Sequence, residues 1–551
     1  MNRFKSIKLY FFSILNLFFL RLKNIYLQSN YYNKKISSFI PEKIFYNPST
    51  YLSASLSTIN NDFYKIANTS PDIFWKTKIK NKLEFENLHS FLWLSKLDRK
   101  NSKKITKKII ESWINIFFNY NPKTWDMQIT AKRIIAWSSN TDITLENAEK
   151  LYKEKFFLSL TKQSSFLVKN LNNFFYEPNK IICCAAIILS GLVFKENNSH
   201  YKLGIKELEK TTKNCFDETG FPRSRNPEEV YVYIKYLILV REWLKEAQIG
   251  IPNFLNTIIH KCGSCYAMLS CSNKQFPLFN GATEINYKDY DIFLKSLKYK
   301  FINKNEKIGN LIKVKKKKFE FYIDCGNPPP NNFSKYYQAG CLSFELMSNK
   351  QKIICNSGYR KYASDSVNLL SRTTAAHSTL YINDTSSCEF QKNSSILKVY
   401  GNSLVNKHKV INKSYVEDKD FYSIVGAHNG YEKKFGCIHT RLIKISKKED
   451  IVLGTDEVKK NKNYLGPLIY FIRFHIYPGT KIIKTKGGNS ILISLSNGEG
   501  WLLQSTTNDL KIEKSIFFAN KNKIINNESV CISGAINEEI ISIKWKIKRI
   551  S

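Results

Sequence analysis

At 551 residues, 43% hydrophobic and 14% aromatic, the chain is too apolar to be disordered and too long for one compact core. Lysine plus arginine number 85 against 46 acidic residues, a formal net charge of +39. That excess attracts polyanions: nucleic acid, an anionic membrane or an acidic polysaccharide. The lysines are scattered, with one dense run at Lys315–Lys318, and no compact nucleic-acid motif accompanies them, so nucleic acid is not expected as a partner.

The amino terminus, MNRFKSIKLYFFSILNLFFLRLKN, places an apolar run of about 11 residues between basic ones. It has the length of a signal-peptide core, but no small-x-small cleavage site follows. A helix packed on the protein and a helix lying on a membrane fit equally well, which leaves a peripheral membrane contact through this segment as an expectation. Cell envelope or periplasm is the expected compartment, and the cytoplasm stays open because of the missing cleavage site.

From about residue 70 to 290, segments such as ITKKIIESWINIFFNY, KIICCAAIILSGLVF and EVYVYIKYLILVREWLKEA carry apolar residues at three- and four-residue steps, separated by short Asn, Pro or Gly breaks. This predicts a series of helical hairpins without a fixed repeat. After about residue 315 the period changes. FEFYIDCG, CLSFELMSNKQKIICNSG, HSTLYIND and SILISLSNGEGWLLQS alternate or run apolar for four to eight residues between turn residues, the pattern of strands in a β-sandwich. The expected organisation is an N-terminal basic and apolar segment over 1–65, an α/α toroid over 66–295 and an antiparallel β-sandwich over 315–551. The twelve cysteines are irregularly spaced, several within apolar runs, where a reduced buried thiol is the default. Cys262-Gly-Ser-Cys265 has no second pair nearby, so it does not form a zinc ribbon.

These phrases, in this order, resemble the heparinase II/III-like polysaccharide lyases, an α/α toroid followed by an antiparallel β-sandwich. AGCLSFEL (339–346) is similar to the family's first long sandwich strand and KIICNSG (352–358) to its partner. SRTTAAHSTLYIND (371–384) is similar to the Arg–Ala-His-Asn-Thr–Val segment, and HNGYEKKFGCIHTRLIKI and FIRFHIYPG look like later strands. In the helical half, NPKTWDMQITAKRIIAW, GFPRSRNPE and PLFNGATE resemble bacterial members.

The resemblance implies β-elimination on a uronic-acid polysaccharide in a cleft between the two domains. A neutraliser must draw charge off the uronate carboxylate, a base must take the C5 proton, and an acid must protonate the departing O4. Asn226 falls where the toroid supplies the neutraliser, with the alternative that it merely caps the helix begun by Asn-Pro. Arg223 and Arg225 flank it and suit acidic groups. The toroid tyrosine is not singled out by any signature. Tyr231 is the candidate taken, with Tyr233 and Tyr266 as alternatives. Asn280-Gly281 sits in a rim-like loop.

In the sandwich His377 matches the family histidine, as a proton carrier or a satisfied structural residue. Arg372 precedes it, and His439 and Arg441 share an alternate-residue face that would line the cleft. The sequence departs from the family at two positions. Gln338 stands where a histidine is expected, and Asn356 replaces the Asp of Asp-x-Gly. A glutamine cannot carry a proton but can bind a sugar. Two of the ligands that hold zinc in some relatives are therefore missing, and neither metal nor other cofactor is expected. Proton transfer would fall to His377 or to a tyrosine such as Tyr359.

Two functions follow from the resemblance: a lyase acting on an acidic polysaccharide, or a non-catalytic glycan-binding or envelope-assembly protein on the same scaffold. An inverting glycosidase, using a pair from Asp217, Glu218 and Glu228, is a third reading without a legible pairing.

Overall fold

The computed structural model describes residues 3–37, 39–57, 75, 81–172, 177–303, 306–400, 404–461, 464–506 and 510–550. The boundary expected at 65/66 lies outside them. The chain is helical in its N-terminal part and builds antiparallel sheets in its C-terminal part, as the change of period requires. It forms two compact units. One comprises Ser6–Phe216 and Tyr231–Lys261; the other is chiefly Asp217–Val230 and Cys262–Ser551. The loop carrying Asn226 thus belongs with the sheets and not with the helices around it in sequence.

In the helical unit the helix Lys180–Val193 is buried along all its length, which its uniformly apolar sequence permits. It packs on Met127–Ser138 and Asn198–Cys215. The second contact is close because Gly191 has no side chain: a Cβ there would lie 2.4 Å from the Tyr201 backbone nitrogen. The NPKTWDMQITAKRIIAW motif acquires a structural role here. Asp126 caps its helix by accepting from the Gln128 and Ile129 amides. Buried Arg133 donates to Gln163 Oε1 and to the His89 and Thr124 carbonyls, and lies 4.1 Å from the Trp113 ring centre.

The other unit contains a nine-stranded and an eight-stranded antiparallel sheet. Their strands alternate as predicted: Cys437–Ser446 and Ile451–Lys460 turn every second side chain inward. Inward side chains from both sheets share one core, in which Phe344 of one sheet stacks on Trp545 of the other at 5.5 Å. This is a β-sandwich. The segment 371–384 is less strand-like than its sequence suggests. The helix Asp365–Arg372 and a short 3-10 turn, Thr374–Ala376, precede a strand of only three residues, Leu380–Ile382. All twelve cysteines are free and buried.

Candidate functional site

Asp217 organises the loop that carries Asn226, accepting from the Thr219 and Phe221 amides and the Thr219 hydroxyl. Pro227 then opens the helix Pro227–Glu246, and Asn226 Oδ1 accepts from the Glu228 amide at 2.9 Å. The cap is therefore real, and it leaves the amide nitrogen of Asn226 directed elsewhere. That nitrogen lies 3.2 Å from where a Cβ would sit at Gly281, next to Tyr336. Glu228 accepts from Thr283 N at 2.9 Å and Thr283 Oγ1 at 2.8 Å, tying the two loops together.

Five further polar interactions fix this neighbourhood. Gln338 accepts from Gly281 N at 2.8 Å and donates to the carbonyls of Gly358 at 2.9 Å and Ser371 at 2.6 Å. Arg225 pairs with Asp324 in a buried ion pair, and Asp324 also accepts from Asn280 Nδ2 at 2.9 Å. Gly326 makes room for that arginine, since a Cβ there would lie 1.6 Å from its Nη1. Arg225, Asn280 and Gly281 all adopt positive φ (67°, 51° and 97°), a concentration of left-handed backbone typical of sites whose surroundings hold it in place. Tyr359 is bound to the same loop, its amide donating to Ala282 O at 3.1 Å.

Tyr336 closes the cluster. Its ring meets that of Tyr359 edge-on at 5.7 Å, and Lys335 and Lys361 lie 5.2 and 6.0 Å from it. It is half-buried, whereas Tyr359 is enclosed, its phenol pushed up to about 12 by burial. Sequence reasoning passed over Tyr336 because nothing in its immediate neighbours marks it. Only the approach of the 280–283 loop brings it to Asn226. Tyr231, the candidate taken from sequence, is buried in the helical unit with Lys235 Nζ 4.0 Å above its ring.

The remaining candidates lie deeper. His377 is 1% exposed. Its Nδ1 donates to the Thr373 carbonyl at 2.8 Å, its ring packs on Gly340, and its Nε2 has no partner. Burial lowers its pKa to about 4, so the ring is neutral. Asn356 lies beside it, Oδ1 accepting from the Ser378 amide at 3.0 Å and Nδ2 without a partner. Gln338, Asn356 and His377 offer two amides and one imidazole, which does not fit a zinc ion. Among the described residues no group of three or more His, Cys, Asp or Glu side chains could hold a metal. Arg372 is spent on the carbonyls of Tyr337 and Ser334 and on the Phe390 ring.

His439 and Arg441 share a face, as the alternation implies, but that face is interior. Arg441 holds Asp456 through Nε and Nη2 at 2.8 and 2.9 Å, and its Nη1 donates to the Leu342 and Ser378 carbonyls. His439 Nε2 donates to Asp456 at 2.7 Å, and its Nδ1 faces His428 Nε2 at 3.2 Å. Burial alone would raise the Asp456 carboxyl, but Arg441 and His439 outweigh it and hold it below the usual range. Of the candidates named from sequence for the lyase reading, Arg223 alone is exposed; Glu218, named for the glycosidase reading, is exposed as well.

Elsewhere on the sandwich, a pocket of about 670 Å³ is lined by Asn406, Lys407, Lys433, Lys434 and Tyr464 among others.

A helical N-terminal region followed by an antiparallel sandwich is the architecture of a polysaccharide-lyase-like scaffold. Residues 306–546 match the heparinase II/III-like C-terminal domain, and this part of the chain belongs to the heparinase II/III-like family. The fold is shared with the crystal structure of heparinase III (TM-score 0.67, 14% identity, covering 86% of this chain and 79% of that one). It is also shared with the heparan sulfate lyase HepC of Pedobacter heparinus (TM-score 0.60, 12% identity, 95% and 87% covered). Among curated proteins, FtsZ-localized protein C of Caulobacter vibrioides is 24% identical over 237 residues. That match takes in 42% of this chain and 40% of the relative's length.

Proposed function

We propose that this chain engages an acidic polysaccharide on a lyase scaffold without cutting it, as a glycan-binding or assembly protein of the cell envelope or periplasm. One observation carries this reading. Gln338, which stands where the resemblance expects a proton-carrying histidine, is locked inside by three hydrogen bonds, and nearby His377 is neutral and enclosed. An amide there supports structure and cannot shuttle a proton. The basic excess and the exposed Arg223 and Lys361 suit an acidic chain. The relative named for its localisation with FtsZ is named for a place and not for a reaction.

A second reading, β-elimination, is favoured by the juxtaposition of Asn226 and Tyr336. The Asn226 amide would draw charge from the uronate carboxylate. The Tyr336 phenol oxygen would take the C5 proton while its own hydroxyl proton passes to O4 as the glycosidic C4–O4 bond breaks and the C4–C5 double bond forms. One experiment separates the readings. The chain is titrated with heparan sulfate, alginate, hyaluronan and bacterial capsule preparations, with binding followed by calorimetry and ultraviolet absorbance recorded in parallel. Binding with flat absorbance is the expected result. Absorbance that rises and is abolished by Tyr336→Phe would establish elimination instead, and failure to bind any acidic polymer would remove the glycan reading altogether.

A further inference from the structure

The N-terminal helix Arg3–Gln28 has two faces of opposite use. Ser13 and Leu27 are buried and Leu9, Leu17, Leu20 and Asn24 half-buried, a line at three- and four-residue steps that rests on the protein. Asn24 Oδ1 accepts from the Tyr120 hydroxyl at 3.4 Å within the helical unit. The outward face is the unusual one. Eleven large apolar side chains between Ile7 and Tyr26 are 39–66% exposed, among them Phe11 at 64%, Phe18 at 54% and Phe19 at 56%. A contiguous apolar surface of this kind has a partner in the functioning protein.

Charge identifies the partner. Residues 1–41 contain Arg3, Lys5, Lys8, Arg21, Lys23, Lys34 and Lys35 and no Asp or Glu. Self-association through this face would bring like charges together. An anionic lipid headgroup layer complements them, while the phenylalanines enter the boundary with the acyl chains. No helix among the described residues is long and apolar enough to cross a membrane, and Lys8 and Arg21 stand exposed among the apolar side chains with stems long enough to reach headgroups. We infer that the outward face of the helix Arg3–Gln28 seats the protein in the plane of an anionic membrane surface, with the opposite face holding the helical unit. The inference does not depend on the glycan reading.

The test is co-sedimentation of the full chain with vesicles of phosphatidylcholine alone and with vesicles of equal parts phosphatidylcholine and phosphatidylglycerol. The chain is expected to sediment with the anionic vesicles, less with the neutral ones, and less again as salt rises. The triple variant Phe11→Ser/Phe18→Ser/Phe19→Ser should lose about tenfold or more in partitioning, as apolar burial drives insertion. Because those rings are exposed, its circular dichroism and melting should match the parent. Lys8→Glu/Arg21→Glu should lose the preference for anionic vesicles. Wild-type chain that ignores anionic vesicles, or a triple variant that binds as the parent does, overturns the inference. A concentration-dependent dimer that the triple variant abolishes, without vesicle binding, assigns the face to a second copy and overturns it equally.

Discussion

Gln338 shows how a substitution at a family position can change the work of a residue without emptying its place. The side chain is used in full: its oxygen takes the Gly281 amide and its nitrogen feeds two carbonyls. Gln338→Ala would leave three buried backbone groups unpaired, and the cost of even one such group is about 1–3 kcal/mol. The expected outcome is a loss of at least that size in chemical denaturation, with the Asn226–Gly281 approach loosened. Gln338→His, which restores the family's residue type, is expected to destabilise as well, since an imidazole cannot donate twice and accept once in that geometry. Melting of the two variants checks both statements. A Gln338→His protein as stable as its parent would show that the three bonds matter little.

At the scale of elements, strand pairing assembles what the linear sequence keeps apart. His428 lies opposite His439, and Arg441 opposite Asp456, across neighbouring strands. The bonding fixes the tautomers. Gly430 N donates to His428 Nδ1, so His428 donates through Nε2 to His439, which donates to Asp456. These rings are neutral, as are His377, His408 and His475, whose pKa values burial lowers to about 4, 4 and 3. Each folded value lies below the ordinary 6.5, so the unfolded chain binds more protons in acid. The stability these rings contribute is complete above pH 6.5 and is lost progressively as pH falls towards 4. The melting temperature should therefore drop steeply across that window. A flat profile would mean that the rings are already charged in the fold.

At the scale of the whole molecule, the +39 charge is spread over a body whose buried cations are already paired or bonded, so its surface share is free to act at long range. Binding to an acidic polysaccharide should weaken as salt rises from 0.05 to about 0.5 M, where the screening length falls well below 10 Å. A neutral dextran should show no binding at any salt. Calorimetry across a salt series checks this; affinity for the acidic polymer that ignores salt would point to recognition by shape.

The change from a helical to a strand period, the sandwich pattern and the buried thiols follow from the order of the residues alone, because hydrophobic periodicity is a local property. The departures at Gln338 and Asn356 are likewise visible in the sequence. What the sequence could not supply is which side chains meet. His439 and Arg441 share a face by alternation, yet whether that face looks out or in depends on the second sheet. Tyr336 and Asn226 are neighbours only because both come up against Gly281, far from each of them along the chain. Arg225 reads as an anion binder until Asp324, 99 residues on, is seen to occupy it. Contacts of that kind belong to packing between segments distant along the chain, and only the tertiary structure decides them.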